Sequence, residues 1–316
     1  MTARDDLVVT DVPIRPSSTS GGATAAVAGS RMGAAVGFAR RRAAWAVMLF
    51  LLAVLALVVI APQLLTSQSP IDPTGTPLGG PKPGHWFGTD QLGRDILTRT
   101  IWGARPVILA SISGIAIAAL SGVAMGVVGG VAPPFISGLI MRLLDVVLAL
   151  PALLIALLVV AVVGTGTTSV VVAVAFAYAP AFARVMYSSV RGLRTADYMA
   201  ASRAFGGSGA HGIFRHLLPN LANEIAVLVS SAIGWAVLTA GTLSFLGFGV
   251  SLPKPDWGVD LSSGGQYLET AWWISAFPGL AITATILLSN YLGDFVADAL
   301  DTQRVVKSPE ASAMLH

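Results

Sequence analysis

Long apolar stretches separated by shorter polar ones organise the chain, and they predict helices able to cross a bilayer. Residues 1–42 are polar and rich in Ser, Thr, Gly and Ala, which predicts a flexible tail ending in Arg40-Arg41-Arg42. An uncharged run then extends from Ala43 to Pro62. At about 1.5 Å per residue it makes a helix about 30 Å long, the thickness of the hydrocarbon core. A cleaved signal peptide would have a shorter apolar run closer to the N-terminus, so residues 43–65 read as an uncleaved first span. Residues 66–105 are polar, proline-rich and too charged to span. The uncharged run from Pro106 to Met141 is too long for one crossing and is broken at Ala132-Pro133-Pro134, which predicts a second span near 107–131. Beyond Arg142 and Asp145, Gly164-Thr165-Gly166-Thr167 divides another apolar stretch into spans near 137–163 and 168–187. A basic polar loop covers 188–219, and a fifth span is expected near 225–248. A loop carrying Lys254, Asp256, Asp260 and Glu269 leads to a sixth near 272–294, and residues 301–316 form a polar tail.

Composition supports the same picture. Hydrophobic residues make up 54% and charged residues 11%, against roughly 25% charged in soluble globular proteins. So few charges cannot coat a soluble globule of this size. Cysteine is absent, which excludes a disulfide scaffold. The net charge of +3 suits loop orientation better than nucleic-acid binding. With the N-terminus inside, fourteen of the nineteen Lys and Arg residues fall on the cytoplasmic side, leaving Lys82, Arg94, Arg99, Arg105 and Lys254 outside. The expected fold is an all-α membrane protein of about six transmembrane helices, multi-pass in the cytoplasmic membrane, with both termini cytoplasmic. Residues 66–105 are then extracytoplasmic, and 106–300 form the main transmembrane domain.

Charged residues inside the spans are few. Arg142 and Asp145 share a helix face and are read as a structural ion pair rather than a proton relay. Glu224, Asp294 and Asp298 lie at span ends. Metalloprotease, nucleophile-elbow and phosphate-loop motifs are missing, so the chain is not read as an enzyme. His211 and His216 lack the spacing and Cys partners of a metal site. The spacing of Gly122, Gly126 and Gly130 fits close helix packing.

The cytoplasmic loop carries the most specific chemistry. Thr195 or Asp197 caps a short helix through Tyr198, Met199, Ala200, Ala201, Arg203 and Ala204. Gly206-Gly207 breaks it, and a second short helix is expected to stop at Leu218-Pro219. A compact knob of this kind suits docking into a partner's groove; the alternative is a helix lying in the headgroups.

At these residues the chain resembles the inner-membrane permeases of ATP-binding-cassette importers, whose coupling loop reads E-A-A-x-x-x-G, then L-P after a spacer. Ala200-Ala201-Ser202 stands where Glu-Ala-Ala would be, Gly206 is the glycine, and Leu218-Pro219 closes the pattern. Phe87-Gly88-Thr89-Asp90-Gln91-Leu92-Gly93-Arg94-Asp95 resembles a signature of the dipeptide and oligopeptide branch, in particular its C subunit. So do Leu243-Ser244-Phe245-Leu246-Gly247-Phe248-Gly249, Trp257-Gly258, Phe277-Pro278-Gly279 and Leu292-Gly293-Asp294. The resemblance implies a type I importer permease fold and peptide import across the cytoplasmic membrane. It implies ATP and Mg bound by two partner ATPase subunits, with no cofactor in this chain. A homologous second permease, an extracytoplasmic peptide-binding protein and the lipid bilayer would complete the partners, with no nucleic acid. By the same resemblance, Asp197, Tyr198, Ala200, Ala201, Arg203, Ala204, Gly206, Gly207, Leu218 and Pro219 couple the chain to the ATPase. Nickel or glutathione import, or ion-gradient-driven transport, are the alternative activities.

Overall fold

The computed structural model describes residues 45–194 and 218–300. The chain divides into two units, Met1–Phe50 and Leu51–His316. The described part of the first, residues 45–50, is the start of helix α1 (Trp45–Ile60). The second unit contains α2 (Ile96–Val131), α3 (Pro134–Leu148), α4 (Ala152–Val163), α5 (Thr167–Arg194), α6 (Leu218–Phe245), α7 (Trp257–Gly264) and α8 (Trp273–Leu300). Among the described residues, α2, α5, α6 and α8 are each long and apolar enough to cross a membrane. The pair α3 and α4, bent by 92°, forms either a fifth, broken span or a re-entrant loop, and α1 is a shorter apolar helix.

Several boundaries differ from the sequence expectation, α5 running on to Arg194 and α8 to Leu300, and two of the differences have a local cause. The second span does not begin after Pro106: α2 starts at Ile96, and Pro106 lies inside it. Asp95 supplies the reason, because its side chain accepts from the Thr98 N–H at 2.8 Å and caps the helix ahead of the proline. The third span is broken rather than continuous from 137 to 163. Pro151 has no N–H to donate and disfavours helix at Leu150, so the chain turns there before α4 begins.

The main core lies between α2 and α5, with α4, α6 and α8 against it. Small residues along α2 let the two helices approach closely. A Cβ added at Gly122 would lie 2.5 Å from that of Phe182, and one at Gly126 would lie 2.6 Å from that of Met186. Gly114 meets Val174 and Gly130 meets Val190 in the same way. Without a hydrophobic force between apolar helices in lipid, such backbone-close packing is what holds them. The Tyr178 and Thr239 hydroxyls, 2.9 Å apart, join α5 to α6. Asp145 does not pair with Arg142 on its own helix; its carboxylate meets Arg184 of α5, with both side chains about half exposed.

Candidate functional site

Four of the signature stretches, far apart in sequence, meet around the N-terminal end of α2; Leu292-Gly293-Asp294 lies away from it, with Gly293 against Ser231 of α6. In Phe87–Asp95, Asp90 folds the turn upon itself. Its Oδ1 accepts from the N–H groups of Leu92 at 2.8 Å and Arg94 at 2.9 Å, and its Oδ2 accepts from Arg94 Nε at 2.6 Å. Gly88 and Gly93 take φ of +75° and +77°, which favours glycine at both. Space demands it as well: a Cβ on Gly93 would overlap the Gly75 carbonyl oxygen, and one on Gly88 would come within 2.7 Å of Gly79 O and Trp273 Nε1. His85 Nδ1 lies 2.9 Å from Asp95 Oδ1, so the helix cap also holds the preceding loop.

Arg99, one turn into α2, is the centre of the arrangement. Its Nε donates to Asp260 Oδ1 at 3.1 Å, and its Nη2 pairs with the same oxygen. Its Nη1 donates to the carbonyls of Pro70 at 2.9 Å and Pro253 at 3.2 Å. Asp90 Oδ2 stands 3.8 Å from its Nε. Asp90, Arg94, Arg99 and Asp260 are each no more than 3% exposed, two cations against two anions. Burying any of them alone would cost several kcal/mol; grouped, they tie the 66–95 segment, α2 and the 250–264 segment into one cap. Burial pushes the Asp260 carboxyl upward against the pull of Arg99, and its Oδ2 has no hydrogen-bond partner among the described residues.

A second tie joins α6, α7 and α2. Gly247, at φ +88°, ends α6: Phe248 N–H donates to Leu243 O at 2.9 Å and Gly247 N–H to Ser244 O at 3.0 Å. This paired C-terminal turn explains the Leu-Gly-Phe spacing of the signature. Asp256 caps α7, accepting at Oδ1 from Gly258 N–H at 2.8 Å and Val259 N–H at 3.3 Å; Ser244 Oγ donates to its Oδ2 at 3.1 Å. Burial raises the Asp256 pKa from 3.8 to about 6, although these hydrogen bonds oppose the shift. Trp257 Nε1 donates to the Thr100 carbonyl at 2.6 Å. Phe277 near the start of α8 stacks on Phe87 with ring centres 3.8 Å apart, and Trp273 Nε1 donates to Thr89 O at 3.1 Å.

Of the residues expected to couple to an ATPase, Asp197, Tyr198, Ala200, Ala201, Arg203, Ala204, Gly206 and Gly207 lie outside the described residues. Leu218 and Pro219 occupy the first turn of α6, where the missing N–H of a proline costs nothing. Pro219 therefore lies at the start of a long helix, and the short helix expected before it lies outside the described residues. Sequence reasoning identified Arg99, Asp256 and Asp260 only as loop charges. Their pairing spans 161 residues for Arg99 and Asp260, a separation at which no local spacing rule operates. The available hint was the Asp-Trp-Gly start of α7, a capping pattern.

Comparison with known proteins agrees with this architecture. Residues 122–305 match the family described as binding-protein-dependent transport system inner membrane component. The dipeptide transport system permease protein DppC of Alkalihalophilus pseudofirmus is 37% identical over 246 residues, 78% of this chain and 81% of its own length. The di/tripeptide transport system permease protein DppC of Pseudomonas aeruginosa is 37% identical over 84% of this chain and 89% of its own. The glutathione transport system permease protein GsiD of Pectobacterium atrosepticum is also 37% identical, over 70% and 74%. In fold, the chain resembles a subunit of the inward-facing MetNI methionine ABC transporter, with TM-score 0.52 at 16% identity, covering 65% of this chain and 96% of that one. With its family matched over most of the helical domain and its relatives over most of their length, the chain belongs to the inner membrane components of binding-protein-dependent transport systems.

Proposed function

We propose that this chain is one permease subunit of an ATP-driven importer that carries short peptides across the cytoplasmic membrane. The observation that supports the substrate is the agreement among relatives: two are dipeptide or di/tripeptide permeases, and the third is a permease for glutathione, itself a tripeptide. ATP and Mg belong to two separate ATPase subunits in this reading. A second permease completes the pathway, and an extracytoplasmic binding protein delivers the peptide. Both termini face the cytoplasm. Residues 1–42 and 301–316 are tails, 43–65 the first membrane helix, and 66–105 with 250–271 the outer surface. Within the cytoplasmic segment 188–219, residues 197–219 dock on the ATPase, with Asp197, Tyr198, Ala200, Ala201, Arg203, Ala204, Gly206, Gly207, Leu218 and Pro219 forming the coupling segment.

Transport requires two discrete packings of one bundle, selected by closure of the ATPase pair. The tight α2–α5 contact suits a body that moves as a unit, and the buried Arg99–Asp260 tie holds the outer segments on it. The test is uptake of a labelled dipeptide into vesicles containing the whole complex. ATP-dependent uptake that survives a protonophore and is competed by other short peptides supports the reading. Uptake of glutathione alone, among peptides offered, would move the substrate to that relative's. Transport driven by a proton gradient without ATP would overturn the reading.

A further inference from the structure

Away from the cap, a cavity of about 470 Å³ opens where α2 ends, α3 begins and α5 nears its C-terminus, its lining including Pro133, Pro134, Ser137, Tyr187 and Arg191. That volume lies in the range of small-ligand sites. Its polar side chains are the Arg191 guanidinium and the Tyr187 and Ser137 hydroxyls. Arg191 Nη1 donates to the Tyr187 hydroxyl at 2.9 Å, its guanidinium lies 5.7 Å from the centre of the Tyr187 ring, and Ser137 Oγ donates to the same hydroxyl at 3.2 Å. Among the described residues, no acidic side chain lines the cavity and no carboxylate pairs with Arg191. The nearest ion pair on the same helices is self-contained, since Arg184 is engaged by Asp145.

The position of the cavity is as informative as its chemistry. It lies at the ends of three apolar helices, where a membrane's hydrocarbon gives way to headgroups. Beside its mouth, Phe135 is 83% exposed, and Ile136 and Leu139 are also exposed on α3. A basic hollow edged by apolar side chains presents a cation to a phosphate and a greasy surface to the chains attached to it. Basic pockets between membrane helices bind lipid headgroups by this combination, and an arginine fork matches phosphate oxygens better than a point charge.

We propose that this cavity binds the phosphodiester headgroup of an anionic membrane lipid, with Arg191 as the charged contact and the Tyr187 and Ser137 hydroxyls orienting it. The test uses the whole complex, purified gently from native membranes, with native mass spectrometry counting retained lipids. Phosphatidylglycerol should remain bound under activation that strips phosphatidylcholine. Arg191→Gln should lower its retention about fivefold, Arg191→Lys should restore part of it, and Arg184→Gln should leave it unchanged. If Arg191→Gln impairs assembly, Tyr187→Phe serves as the second variant, with an expected smaller loss. Equal retention of phosphatidylglycerol and phosphatidylcholine, or retention indifferent to both variants, would overturn the site. Saturable binding of inorganic phosphate to lipid-depleted complex, with no preference for phosphatidylglycerol, would overturn the lipid as its occupant.

Discussion

Arg99 is held by four groups from two segments of the chain, and its energetics follow from where it sits. Replacing it with Met would leave Asp90 and Asp260 in a dry environment with less countercharge. Removing one partner of a buried pair typically costs about 3–5 kcal/mol. We expect Arg99→Met to lower the thermal unfolding midpoint of the solubilised chain sharply, and the double variant Arg99→Met, Asp260→Leu to recover part of the loss. Additive losses in that cycle would refute the coupling. Asp256 makes a separate prediction. Its folded pKa of about 6 exceeds the ordinary 3.8, so the folded state binds this proton more tightly than the unfolded chain. Its contribution therefore disfavours folding progressively as pH rises from about 4 to 6, and the cost persists above that. Asn in its place can still accept from Gly258 and Val259. Asp256→Asn should flatten the decline in unfolding midpoint over that pH interval, and an unchanged slope would contradict the assignment.

At the scale of elements, glycines on successive helices have opposite sensitivities. Gly126 is pressed between Ala183 and Met186 of α5, whereas a Cβ on Gly138 of α3 would meet nothing within 4 Å. Gly126→Leu should separate α2 from α5 and reduce the yield of folded chain in membranes. Gly138→Ala should instead raise stability by about 0.5–1 kcal/mol, the difference in helix propensity; a loss at Gly138 would mean that face is packed after all. The glycine stripe itself was legible in the sequence, because a spacing of four puts residues on one helix face. The start of α2 was not. Arg94, Arg99 and Pro106 all argue locally against a span there, and only Asp95 as cap and Asp260 as distant countercharge reverse that reading. The break before α4 was similarly hidden, since Val146–Ala183 is uncharged throughout and Pro151 is its local sign of a bend.

For the molecule as a whole, the decisive test of the coupling segment is Gly206. A bulky replacement should abolish ATP-dependent uptake while membrane insertion and recovery of partners persist. Normal uptake would remove residues 197–219 from the coupling role. The sequence alone determined that this chain lives in a membrane, how many apolar segments it contributes and which family it resembles, because hydropathy and short motifs are local properties. Tertiary structure alone decided what several of those motifs do. Phe87 stacks on Phe277, Trp257 reaches the Thr100 carbonyl, and Arg99 meets Asp260. Each of these contacts joins residues more than 150 positions apart, and buried charge is stable only where folding brings its partner within reach.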